Sequence, residues 1–291
     1  MVKEHSSGII ILFIIIAIAA FGGNRNAKSH NGSFSTTPQE PTTEQKIVET
    51  KNKIDTIQKQ IQVLEDAKTQ SKYKDVVSLR YVNRSTDSNN EYVTLYVSGD
   101  ATSTIPITGW QIKSLSSGNS VTIPSGTQLF FSGTTNTESP IILYPRDTVY
   151  IITGVSPNGS SFRINKCSGY LSQFQTFIPY ISTSCPSPRN ENLSSIPNRI
   201  ENNACFDYID SFPSCRTQTE NLPNNWSYEC KKFIAEKINY SSCIDTHKND
   251  TDFYQKEWRV YLKRSSPIWQ NEREKIVLYD TDGKVVDTLK Y

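Results

Sequence analysis

No C-x-x-C pair occurs in this 291-residue chain, which removes zinc-ribbon and thioredoxin-type chemistry from consideration. G-x-S-x-G, H-E-x-x-H and Gly-rich phosphate loops are also missing, so the common hydrolase, metalloprotease and nucleotide-binding signatures are absent. The three histidines, His5, His30 and His247, lie far apart and form no His-rich metal motif. Methionine occurs once, at position 1. Neither charge sign is in useful excess: 31 Lys plus Arg face 29 Asp plus Glu, which gives no polyanion-binding signature. The stretch "DTDG" (280 to 283) starts like a calcium loop, but the twelfth position, where such a loop needs Glu, is Tyr291. The basic residues Lys256, Arg259, Lys263 and Arg264 are interleaved with Glu257, Glu272 and Glu274 and read as a solvated face. No catalytic residue, metal site or cofactor is therefore expected. Apolar residues make up 36%, low for a compact globule, while Asn, Ser and Thr abound, as in loop-rich β proteins.

One long apolar run is present, "GIIILFIIIAIAAFGG" from Gly8 to Gly23. It is short of the ~20 residues that span a bilayer comfortably. Either it is a signal peptide cut near Ala17-Ile18-Ala19, or it is an uncleaved anchor occupying residues 1–23. Its isoleucine-rich core, without a clear turn before the cut, favours the anchor. Residues 24–43 are polar and carry two prolines, as a flexible linker does. In residues 44–74, Ile47, Ile54, Ile57, Ile61 and Leu64 fall on a and d positions, with Thr50 and Lys68 completing the seam. Roughly three heptads of this kind predict a short coiled-coil stalk, or else a lone amphipathic spacer helix.

From Asp75 the apolar period changes from 3.6 to 2. "VVSLRYVN", "EYVTLYVS", "ITGWQIKS" and "SVTIPSGTQLFFSG" alternate, with turn-rich stretches such as "STDSNN" and "SLSSGNS" between them. "PIILYPRDTVYIITG" adds two strands around a Pro-Arg-Asp turn. Short strands at this spacing predict an antiparallel sandwich or barrel. At the other end, "EREKIVLYDTDGKVVDTLKY" reads as a hairpin turning at Asp282-Gly283, and two strands alone need a sheet to join.

Together these stretches resemble a lamin tail domain, an immunoglobulin-like β-sandwich. The resemblance rests on the order of "EYVTLYVS" (91–98), "ITGWQIKS" with Gly109-Trp110 (107–114), "IPSGTQLFF" (123–131), "LYPRDTVYIIT" (143–153), and then Trp269 with "IVLYDTDGKVVD" (276–287). It covers residues 75–165 and 257–291 and implies that the terminal hairpin closes a sandwich begun near Asp75. Trp110 is read as core. The family has no catalytic residues to carry over, so the resemblance implies a binding or structural module.

Residues 166–256 interrupt that pattern and hold all six cysteines. In an exported chain an even count reads as disulfides. Helices are predicted at about 196–212 and 226–247, with Asn225 or Ser227 capping the second and Pro213 ending the first. Six cysteines allow fifteen connectivities. An antiparallel helical hairpin would nest Cys215–Cys230 inside Cys205–Cys243, with Cys167–Cys185 closing its own loop. Phe206, Tyr208, Ile209, Trp226, Phe233, Ile234 and Ile238 are the apolar side chains available to pack it.

The sequence thus predicts a mainly β, single-span, extracytoplasmic protein of the cell envelope. Its expected partners are the membrane, through the N-terminal helix, further copies of itself, through the coiled coil, and an unidentified protein or envelope polymer. Two other readings are an exported hydrolase, with a pocket between insertion and sandwich, and a DNA-binding tail. The charge balance speaks against nucleic acid.

Overall fold

A computed structural model describes residues 42–269 and 272–291. The predicted anchor (1–23) and nearly all of the predicted linker (24–43) lie outside the described residues. Among the described residues no helix is long and apolar enough to cross a membrane. The chain divides into two units, Met1–Ile57 and Gln58–Tyr291.

Helix α1 (Thr43–Thr69) opens with a capping box: Thr42 N donates to Gln45 Oε1 at 2.9 Å, and Gln45 N donates to Thr42 Oγ1 at 3.4 Å. The helix is about 40 Å long. None of its residues is buried, and the seam side chains Ile47, Ile57 and Leu64 are 61%, 48% and 64% exposed. The predicted stalk, 44–74, is helical only as far as Thr69. Beyond it the chain turns, and Ser71 N donates to Val285 O at 2.8 Å.

Eleven strands follow among the described residues: β1 (Val77–Asn83), β2 (Tyr92–Val97), β3 (Ile105–Pro106), β4 (Gln111–Ser114), β5 (Ser120–Thr122), β6 (Ile142–Leu143), β7 (Thr148–Ile152), β8 (Phe162–Asn165), β9 (Tyr254–Tyr261), β10 (Lys275–Tyr279) and β11 (Val285–Lys290). They form a five-stranded sheet in the order β1-β2-β7-β9-β8, a four-stranded sheet β11-β10-β4-β5, and the small pair β3-β6. All three contribute to one core, which includes Val93, Val149 and Val260 from the first, Ile112 and Leu278 from the second, and Ile105 from the third. Trp110, 1% exposed, belongs to this core, as expected.

The terminal hairpin finds its partner 162 residues upstream, where β10 pairs antiparallel with β4 and Ile276 stands opposite Ser114 in the register. Its turn is held by Asp280, whose Oδ1 accepts from Asp282 N (3.0 Å) and Lys284 N (2.9 Å), while Gly283 takes φ +73°. The expectation of an all-antiparallel arrangement is corrected: β7 and β9 run parallel, with Val149 opposite Trp258. A parallel pair needs a long crossover connection, and the Cys-rich segment between β8 and β9 makes a long excursion before the chain returns.

Side chains alternate across the five-stranded sheet, so each strand feeds two cores. Val149 and Ile151 of β7, and Trp258 and Val260 of β9, enter the core described above; Ile152 and Tyr261 enter a second core on the opposite face. There they meet Cys167, Tyr170, Phe177, Cys215 and Ile244 of the Cys-rich segment. The segment therefore packs on the outer face of the sheet. A third cluster (Ile196, Cys205, Ile209, Cys230, Phe233, Ile234 and Ile238) forms an outer lobe, with Phe206, Tyr208 and Trp226 packed against it. These include all seven apolar side chains singled out in the sequence.

The helices are shorter than predicted. A 3-10 turn (Ile200–Asn202) leads into α2 (Asn203–Ser211), which stops before Pro213. The second predicted helix is two, α3 (Tyr228–Lys237) and α4 (Tyr240–His247). Ser227 caps α3 by accepting from Cys230 N at 3.3 Å. Asn239 splits the run by capping α4, accepting from Ser242 N at 2.9 Å. The break sends Cys230 and Cys243 to different cores.

All three predicted disulfide pairings are accordingly corrected. The bonds are Cys167–Cys243, Cys185–Cys215 and Cys205–Cys230, not Cys167–Cys185, Cys205–Cys243 and Cys215–Cys230. The first fastens α4 to the residue two beyond β8. The second lies in the shared core on the sheet. The third lies in the outer lobe, where α2 meets α3. The nested pattern assumed one continuous helix presenting Cys230 and Cys243 together, and Asn239 prevents that.

Candidate ligand groove

One arginine on the outer sheet face adds polar contacts to the packing that holds the Cys-rich segment. Along β9, Arg259 is in phase with Tyr261, away from the core of Trp258 and Val260. It is 2% exposed, so the sequence reading that placed it on a solvated face is corrected, as it is for Glu274 at 1%. The Arg259 guanidinium lies 4.5 Å over the Tyr150 ring. Its Nε donates to Glu257 Oε1 (2.8 Å), Nη1 to Pro179 O, and Nη2 to Tyr180 O (3.1 Å). One fork of donors thus fixes both the charge balance and the backbone of the passing loop.

The chain just before these carbonyls, residues 174–178, divides two cavities. The larger, about 410 Å³, is lined by Asn89, Asn90, Ser156, Thr176, Ile178 and Tyr261, among others. Its wall depends on Gly154, where a Cβ would lie 2.7 Å from the Asn89 backbone nitrogen. The smaller, about 290 Å³, is lined by Phe130, Ser132, Phe174, Thr217, Tyr240 and Ser241, among others. Both lie where the Cys-rich segment meets the β portion. No lining residue of either carries a formal charge at neutral pH. The titratable groups in them are tyrosines held as neutral phenols: burial pushes Tyr170 and Tyr261 up to about 12, and pushes Tyr240 up as well.

Side-chain bonds stiffen the walls. Gln173 donates to Thr217 O (2.9 Å) and accepts from Thr217 N (2.7 Å), and Gln175 Nε2 donates to Pro157 O (3.3 Å). Tyr240 OH donates to Phe130 O at 2.8 Å, joining α4 to the β portion. Phe174 is left 66% exposed on the rim of the smaller cavity.

A second polar cluster lies around His247, the last residue of α4. His247 Nδ1 is 2.9 Å from Asp250 Oδ2, and its Nε2 is 3.0 Å from Glu191 Oε1. Lys166 Nζ meets Asp250 at 3.0 Å and Asp252 at 2.6 Å. Both ring nitrogens of His247 face carboxylates, an arrangement that holds an imidazolium and leaves no nitrogen to activate a hydroxyl. Among the described residues no group of three metal-ligating side chains is assembled.

Burial alone would lower the His247 pKa, but the hydrogen bonds to Glu191 and Asp250 outweigh it and raise the pKa above the usual imidazole value. The folded state therefore holds this proton more tightly than the unfolded one. The resulting stability is complete below the unfolded pKa of about 6.5 and is lost as pH rises through the higher folded value. Thermal melts at rising pH above about 6.5 should show a decline that His247→Gln abolishes. Identical pH profiles for the two proteins would contradict this.

Of the residues chosen from sequence, the six cysteines are brought together in bonded pairs, and they brace the groove rather than line it. The groove residues and Arg259 were not chosen. A signal for Arg259 was available, because strict alternation in "YQKEWRVY" puts it on the same face as Tyr261. For Phe174 none was, since its segment has no period. No family model matches the chain, and no curated protein matches it.

Proposed function

We propose that the chain is a non-enzymatic protein displayed at the cell envelope. Residues 8–23 anchor it, and α1 is a short stalk that pairs with other copies through its isoleucine seam. Residues 75–165 and 257–291 form an immunoglobulin-like sandwich of the lamin-tail type, and the insertion between them supplies a binding surface. The observation that carries this reading is the junction groove: rigid, cross-braced by disulfides, and lined by amides, hydroxyls and aromatic rings with no acid–base pair.

Other features support parts of the reading. The two large sheets share one core, and the terminal hairpin pairs with β4, as a lamin-tail sandwich requires. The parallel β7–β9 pair is a local departure from that pattern. The exposed Ile47, Ile54, Ile57 and Ile61 leave apolar area for a second copy to cover. Disulfides persist in oxidising compartments, which favours the exterior. The cavities sit where the hydrolase reading expects a pocket, between insertion and sandwich, but their lining favours binding over turnover. On the outer sheet face Arg259 is buried, so it offers no charge to a basic stripe for DNA.

Fractionation of cells expressing the full chain tests the proposal. The protein should sediment with membranes, retain its N-terminus, and be cleaved by protease added outside intact cells. Mature protein beginning near Ala20 in the soluble exported fraction would remove the anchor. Protease-resistant protein in the cytoplasm would remove the display.

A further inference from the structure

We propose that the smaller cavity, with Phe174 on its rim, binds a neutral oligosaccharide chain. The inference rests on the display reading above and assigns the ligand class of that surface.

Three observations point to this chemistry. First, the lining excludes charge. A bound carboxylate, phosphate or ammonium buried here would meet no counter-charge among the lining residues, and an unpaired buried charge is costly. Second, the hydroxyls of Ser132, Thr217 and Ser241 line the cavity, and none is hydrogen-bonded to another of the described residues. A hydroxyl both donates and accepts, so these groups match a ligand whose own polar groups are mainly hydroxyls. Third, Phe174 offers an apolar ring face, 66% exposed, beside those hydroxyls. A pyranose has the complementary surface: a face of C–H bonds, with hydroxyls around its rim.

The placement of Phe174 is not loose. It follows the 3-10 turn Ser168–Gln173, and its N–H donates to Leu171 O. The turn begins next to Cys167, which is bonded to Cys243 on α4, and Gln173 is fastened to Thr217. These bonds fix the backbone that carries the ring and so hold it at the rim of the cavity. The larger cavity, across the 174–178 loop, is equally uncharged and carries Asn89, Asn90 and Thr176. The larger volume lies at the low end of the ~300–1,000 Å³ typical of ligand pockets, and the smaller, about 290 Å³, lies just below it. Two such cavities flanking one loop suit successive rings of a chain better than one compact molecule.

The test is saturation-transfer NMR on the full-length chain in a zwitterionic detergent, because sugar-headed detergents would compete. The probes are malto-, cello- and chito-oligosaccharides, with an oligogalacturonate and a neutral peptide as comparators. At least one neutral saccharide should receive saturation at its ring C–H protons. Phe174→Ala should weaken it about tenfold, and Phe174→Trp should retain it. Circular dichroism on the alanine variant checks that the fold persists. No transfer to any neutral saccharide at about 10 mM, a preference for the anionic probe or the peptide, or unchanged binding by Phe174→Ala overturns the assignment. If the chain fractionates as displayed and binds no saccharide, only the ligand class falls. A cytoplasmic chain would remove the display reading whatever it binds.

Discussion

Replacing Cys167 and Cys243 together by alanine is expected to lower the unfolding free energy by about 4 to 5 kcal/mol. In the chain-entropy model the gain from a cross-link grows with the loop it closes, and these two cysteines are 76 residues apart, against 30 and 25 for the other pairs. Cys205→Ala with Cys230→Ala should cost less, about 3 to 4 kcal/mol. The two variants should also differ in where they loosen. Cys167 and Cys243 sit in the core shared with Ile152, Phe162 and Tyr261, so their loss should deprotect α4 and the groove. Cys205 and Cys230 sit in the outer lobe with Trp226 against them, while Trp110, Trp258 and Trp269 belong to the sheet core. Hydrogen exchange should therefore show the second variant opening near Trp226 with strands β4 and β10 unchanged. A cost below about 1 kcal/mol for the Cys167–Cys243 pair, or uniform loosening in both variants, would contradict the assignment of cores.

Arg259→Met should be nearly as damaging, at about 3 to 5 kcal/mol. Its guanidinium serves Glu257 and the carbonyls of Pro179 and Tyr180 at once, with Tyr150 beneath it. Methionine fills much of the volume but leaves those carbonyls without a donor. Lysine keeps the charge but not the fork, so Arg259→Lys should recover only part of the loss. Denaturant titration measures the cost, and exchange rates over residues 174–181 show whether the loop is released. Buried ion pairs are sometimes replaced by apolar side chains without penalty. Wild-type stability in the methionine variant would therefore show that the loop is held by packing alone.

The β portion was legible in the sequence because its signal is local. Period-2 alternation marks "YVTLYV" as a strand, and the same alternation explains why Val93 and Leu95 enter one core while Tyr92 enters the other. The Asp-Gly turn of the last hairpin was legible for the same reason. The parallel pairing of β7 with β9 was not, since nothing within either strand specifies its neighbour. The composition of the outer lobe could be read from its few large apolar residues, but the disulfide pairing could not. It turned on Asn239, whose capping role divides a helical pattern that otherwise looks continuous. The groove was least legible of all. Phe130, Phe174, Thr217 and Ser241 are separated by long stretches of chain, and their meeting depends on the crossover, the Cys167–Cys243 bond and the Arg259 clamp together.

The most direct measurement is the thiol state of the protein as it stands in living cells. Intact cells are treated with a membrane-permeant alkylating agent before lysis, and the chain is digested without reductant and analysed by mass spectrometry. A displayed protein with a disulfide-braced groove yields cross-linked peptides joining Cys167 to Cys243, Cys185 to Cys215 and Cys205 to Cys230, with no alkylated cysteine. Six alkylated cysteines would place the chain in a reducing compartment and contradict the account.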